Sequence, residues 1–166
     1  MHLKIGKFNI QVTLRRKDVL IVILWTIAIS LIMIKTHILL YQTPMFRAYK
    51  PAFVQYRPPS LEVLDILILA MMSIAVTILF SDVKPIVYGF AASLCLSFII
   101  ALTYASLFIW YVLDWQAHLS QDPFGWEVAM YVGFLNTFYI MFPWVIGSSV
   151  IGLVVGVLVR VWIKIS

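Results

Sequence analysis

The chain has 166 residues, 63% of them hydrophobic and only 11% charged, with a mean hydropathy of +1.02. Soluble domains carry about 45–50% apolar and about 25% charged residues, so a water-soluble globular enzyme, a disordered tail and a coiled coil are excluded. The lone cysteine, Cys95, excludes a disulfide scaffold, and the net charge of +5 sits on residues flanking apolar runs, which leaves no basic face for nucleic acid. What remains is an all-α, polytopic membrane bundle.

Residues 1–17 form a basic leader with Lys4, Lys7, Arg15, Arg16 and Lys17. Apolar residues alternate in Phe8–Leu14, as in a short strand with one apolar face or a leader lying beneath the bilayer. An ordered leader is expected to be held by neighbouring chains. The first apolar run, 19–41, has an uncharged core from Val19 to Ile34 and no small-residue cleavage site after it, which reads as a retained signal anchor.

The following loop, 42–60, interleaves Pro44, Pro51, Pro58 and Pro59 with Phe46, Tyr49, Phe53 and Tyr56. The prolines forbid a long helix there, and the aromatics are expected to pack on headgroups or on a neighbouring subunit. Apolar runs at 61–80 and 85–113 give a second and a third span.

The last apolar stretch, Phe124–Val159, has 36 residues, or about 54 Å as one helix against a hydrocarbon core of about 30 Å. Its one break, Met141-Phe142-Pro143-Trp144, has no polar turn residues for a hairpin at the water interface. Trp144 and Trp162 are 18 residues apart, about 27 Å, which matches two aromatic belts. The fourth span is therefore placed at 143–161, with Pro143 in its first turn. Residues 114–142 are expected to be an outer loop followed by an interfacial or extended helix. Five spans are the alternative to four.

With the N-terminus inside, the cytoplasmic side holds eight cations, namely Lys4, Lys7, Arg15, Arg16, Lys17, Lys84, Arg160 and Lys164. The outer side holds four, Lys35, Arg47, Lys50 and Arg57, while the outer residues Asp114, Asp122 and Glu127 face no cation in their own loop. An eight-to-four split predicts cytoplasmic N- and C-termini, and a fifth span would erase the bias.

The third span repeats a small residue at every fourth position: Gly89, Ser93, Ser97, Ala101 and Ala105. The last span adds Ser148, Gly152 and Gly156. In lipid, such seams let helix backbones approach closely, and they predict tight helix packing. Lys35 and Asp65 lie at similar depths near the outer ends of consecutive spans, so they are expected to pair, with snorkelling of Lys35 as the alternative.

The candidate chemistry lies at the outer face. Asp114 and His118 share one side of a helix if the third span continues, and His37 sits near the outer end of the first. Imidazole with carboxylates suits zinc, copper or iron. The Asp114-x-x-x-His118 pair is similar to part of the copper site of membrane-bound ammonia and methane monooxygenases. The similarity covers these two residues and departs at Tyr131, where that family has its next histidine. Asp114, His118 and His37 are thus weak metal candidates, and no metal or other cofactor is assigned.

No phosphate-binding glycine loop, zinc-protease pair, C-x-x-C or nucleophile elbow occurs in the sequence. Cys95 lies mid-span in an apolar setting that disfavours a thiolate. Asn136 and Tyr139 read as packing residues. Haem ligation is disfavoured because His37 and His118 both lie near the outer end and His2 at the terminus.

The reading favoured is a non-catalytic accessory subunit of a larger integral membrane complex, such as a membrane-bound oxidoreductase or monooxygenase. Its partners would be the lipid bilayer and other membrane subunits. The alternative is a small homo-oligomeric transporter or channel with Ser93, Ser97, Thr103, Ser148 and Ser149 as its polar stripe. Less favoured is a membrane enzyme with an outer-face metal. A prokaryotic plasma membrane is expected, with an organelle inner membrane as the other setting.

Overall fold

The computed structural model describes residues 16–42, 59–80, 82–119 and 123–165, with the side chains of residues 118, 119, 164 and 165 excepted. The expectations for the leader segment Phe8–Leu14 and for the proline-aromatic loop lie outside these residues, apart from Gln42 and the Pro59–Ser60 end of that loop. All regular structure among the described residues is helical: α1 (Arg16–Tyr41), α2 (Val63–Leu79), α3 (Val83–Leu107), α4 (Trp115–Leu119), α5 (Gly125–Tyr139) and α6 (Ile146–Ile165). Wide-turn, π-type stretches extend α3 through Phe108–Val112 and join α5 to α6 through Ile140–Val145. Three apolar helical stretches are long enough to cross a bilayer: Arg16–Tyr41, Val83–Val112 and Gly125–Ile163. Val63–Leu79 is apolar and shorter, at 17 residues. The described residues are thus those of an all-helical membrane protein.

These sequences form helices because lipid leaves the backbone no partner but itself. Hydroxyl residues within the helices obey the same constraint. Thr26, Ser30, Thr36, Ser73, Thr77, Thr103, Thr137 and Ser148 each donate to the carbonyl four residues back. That bond removes a polar group from lipid without needing another helix.

Helix ends depart from the expected spans in three places. The first helix starts at Arg16 rather than at 19 and takes Asp18, 1% exposed, into its first turn, where a carboxylate favours the helix dipole. The third helical stretch, Val83–Val112, starts two residues before the expected 85, and it stops ahead of Asp114, which adopts φ 57°, a left-handed conformation that Asp tolerates better than most residues. Pro143 lies within the wide-turn stretch ahead of α6 rather than in the first turn of a helix. Phe142, just before it, has φ −118° and ψ 112°, outside the helical region.

The helices pack as two parallel pairs. Val22 of α1 lies against Gly89 of α3, and the carbonyls of Val22 and Thr26 accept from Ser93 and Ser97 in turn, so α1 and α3 run in the same direction. Gly152 of α6 meets Ala70 and Ser73 of α2, and Gly156 meets Ile74 and Thr77, so these two are also parallel. Helix α5 runs against α3: Trp126 meets Trp110, while Gly133 and Phe134 meet Ser106 and Phe98. The core centres on Trp25, Ile29, Met33, Leu69, Ile140 and Val145, with a smaller cluster of Tyr41, Ala105, Ile109 and Ala129 beyond it.

A Cβ at Gly152 would fall on the Ala70 carbonyl oxygen, whereas one at Gly147 would meet nothing within 4 Å. Gly152→Leu and Ser97→Leu are therefore expected to lower the unfolding free energy by about 1–3 kcal/mol in detergent titrations, and Gly147→Leu to leave it unchanged. Equal stability of all three variants would contradict the packing described.

Candidate functional site

At the end of α1, Lys35 reaches across to the start of α2. Its ammonium lies 2.7 Å from Glu62 Oε2 and 3.0 and 3.1 Å from the two Asp65 oxygens. The Asp65 side chain is only 4% exposed, against 43% for Lys35 and 57% for Glu62. A buried carboxylate needs a counter-charge and hydrogen bonds, and the three protons of the ammonium supply both. Both acids also lie at the N-terminal end of α2, where the helix dipole favours negative charge. The group pins α1 to α2. Glu62 was missed in the sequence, although it lies three residues before Asp65, and that spacing puts both acids on one side of a helix start.

The five small residues of α3 are all buried, and the first three face α1. An added Cβ at Gly89 would come within 2.9 Å of Val22 Cγ2 and 3.0 Å of Phe80. Ser93 and Ser97 donate to the α1 carbonyls at 3.3 and 3.1 Å. On α6, Ser148 is buried and donates to Trp144, while Gly152 and Gly156 form the contact with α2. The receiving surface of α2 (Ala70, Ser73 and Thr77) was not singled out from sequence, although its spacings of three and four place these small residues on one side of a helix.

Near the C-terminal end of α1, α1, α3 and α5 meet around a buried polar junction. His37 is fully buried, with Nε2 3.1 Å from Thr137 Oγ1, and Asn136 Nδ2 donates to the Tyr41 hydroxyl at 3.2 Å. Tyr41 stacks between His37 and Phe108, at 5.5 Å from each. The single hydroxyl proton of Thr137 goes to the Gly133 carbonyl, so His37 Nε2 is the donor to Thr137. This places His37 in helix packing. Asn136 lies in the same contact.

The premise of the Asp114–His118 pair, a helical continuation of the third span, does not hold. Asp114 is an exposed break residue, and Trp115–Leu119 is a separate short helix. The His118 side chain lies outside the described residues. Among the described residues, no three His, Cys, Asp or Glu side chains gather as a metal site. Cys95 faces outward from α3.

Asp65→Leu removes the buried member of the ion group and leaves Lys35 only the exposed Glu62. It should lower the melting temperature in detergent markedly, while Glu62→Gln, at an exposed site, should change it little. Equal, small effects would instead favour a Lys35 that snorkels without holding α1 to α2.

Comparison of the chain with protein-family models, with curated proteins and with solved structures finds no match.

Proposed function

We propose that the chain crosses the bilayer four times with both termini cytoplasmic, and that it serves as a non-catalytic accessory subunit of a larger integral membrane complex. A membrane-bound oxidoreductase or monooxygenase is the kind of complex meant. The sense of the helices supports four crossings. Helix α5 runs against α3, α6 runs with α2, and α2 returns from the end of α1, so α5 and α6 descend in the same direction as one bent path. The eight cations on the leader side of that arrangement, against four on the other, support the orientation, in a prokaryotic plasma membrane or an organelle inner membrane.

One observation supports the accessory role: most polar side chains inside the helices are taken up by helix carbonyls or by each other. Ser93 and Ser97 bond α1, Thr103 and Ser148 bond their own helices, and Lys35 and Asp65 bond each other. Four of the five hydroxyls of the alternative transport stripe thus donate to helix carbonyls. By contrast, α5 and the stretch after it present a ladder of exposed rings, Phe134, Phe138 and Phe142, stacked at 6.2 and 6.1 Å. A rigid aromatic face of this kind suits contact with a partner's helices.

Native mass spectrometry of the chain gently extracted from its own membrane tests this. Release with different, larger subunits is the expected outcome. Release as a homo-oligomer would overturn the accessory role and favour the transporter reading.

A further inference from the structure

A cleft of about 180 Å³ opens where α3 begins and α6 ends. Its walls are Asp82, Val83 and Ile86 from the start of α3, with Val157, Arg160 and Val161 from α6. Four branched apolar side chains, one cation and one anion thus line it.

The depth of the cleft is set by its surroundings. Gly156 packs on Thr77 two residues before the end of α2, and Arg160 follows one turn later, with Nη1 3.5 Å from the Thr77 carbonyl. Trp162 stands 73% exposed beside it. Tryptophan and arginine in the last turns of an apolar helix mark the boundary between hydrocarbon and headgroups.

A free inorganic anion fits this chemistry poorly, since it has no use for the apolar lining and meets the Asp82 carboxylate. Asp82 precedes the first residue of α3 and makes no capping hydrogen bond with its side chain. A molecule carrying a phosphodiester, a neighbouring ammonium and an apolar tail matches all three features. Guanidinium is well suited to phosphate oxygens, carboxylate to an ammonium, and Ile86 and Val157 to the first methylenes of a chain.

We propose that this cleft binds one zwitterionic, ethanolamine-type phospholipid of the adjoining leaflet, with Arg160 on its phosphate and Asp82 on its ammonium. The proposal does not depend on the accessory role. Its occupant is a lipid whether or not the chain has protein partners.

The test uses the full chain in detergent, titrated with phosphatidylethanolamine or phosphatidylglycerol and read by native mass spectrometry. Wild type should retain one phosphatidylethanolamine about three- to fivefold more than phosphatidylglycerol. Asp82→Asn should abolish that preference while keeping the lipid, and Arg160→Gln should reduce retention of both. Asp82 is exposed, so its variant keeps the test decisive if Arg160→Gln fails to fold. Equal retention of the two lipids by wild type, or an unchanged preference in Asp82→Asn, would overturn the proposal. So would displacement of the lipid by millimolar inorganic phosphate, which would point to a simple anion site.

Discussion

The contact on which this bundle depends is the approach of α6 to α2 at Gly152, where no room remains for even a methyl group beside the Ala70 carbonyl. Lipid tails are as apolar as leucine, so burying leucine against leucine does not draw helices together in a bilayer. Backbones must instead come close enough for dispersion and short polar contacts to act. Gly152 and Gly156 allow that on one side of the molecule, and Gly89, Ser93 and Ser97 allow it on the other. Bulky residues such as Leu64, Met71, Ile99 and Leu158 are left on the outside, as this solvent permits.

Two close pairs do not by themselves make one bundle. The junctions between them use polar groups, each placed so that its partner is another helix. Lys35 ties α1 to α2, His37 and Tyr41 tie α1 to α5, and Ser106 sits under Gly133 where α3 and α5 cross. Lys35 and Asp65, and likewise Tyr41 and Asn136, would be costly alone in hydrocarbon and are less so as pairs. Two contrasting surfaces among the described residues are the aromatic face of α5 and the mixed cleft at the opposite end.

Much of this could be read from residue spacing, because a helix converts a period of four directly into a face. The run from Gly89 to Ala105 stands out for that reason, and the similar depths of Lys35 and Asp65 suggest their meeting. Other features had no such local signal. Asp114 looks like an ordinary helix residue until its left-handed backbone ends the helix, and the i, i+4 relation with His118 loses its premise there. The burial of His37 depends on Thr137, a hundred residues away, and on α5 lying against α3 instead of apart from the bundle. Pro143 announces a break, but whether the chain turns back or bends and continues is decided by which helix receives α6. That helix, α2, carries its small residues as Ala70, Ser73 and Thr77, a mixed spacing of three and four that stands out less than a run of fours.

The most direct measurement is disulfide cross-linking in native membranes, in a chain carrying Cys95→Ser. Parallel packing of α2 and α6 puts Thr77 beside Gly156, where an added Cβ would lie 2.7 Å from the Thr77 Cβ. Thr77→Cys with Gly156→Cys should therefore cross-link on mild oxidation, and Thr77→Cys with Gly152→Cys should not. The reverse pattern would mean that α6 runs against α2, and the bent single path from α5 through α6 would be wrong.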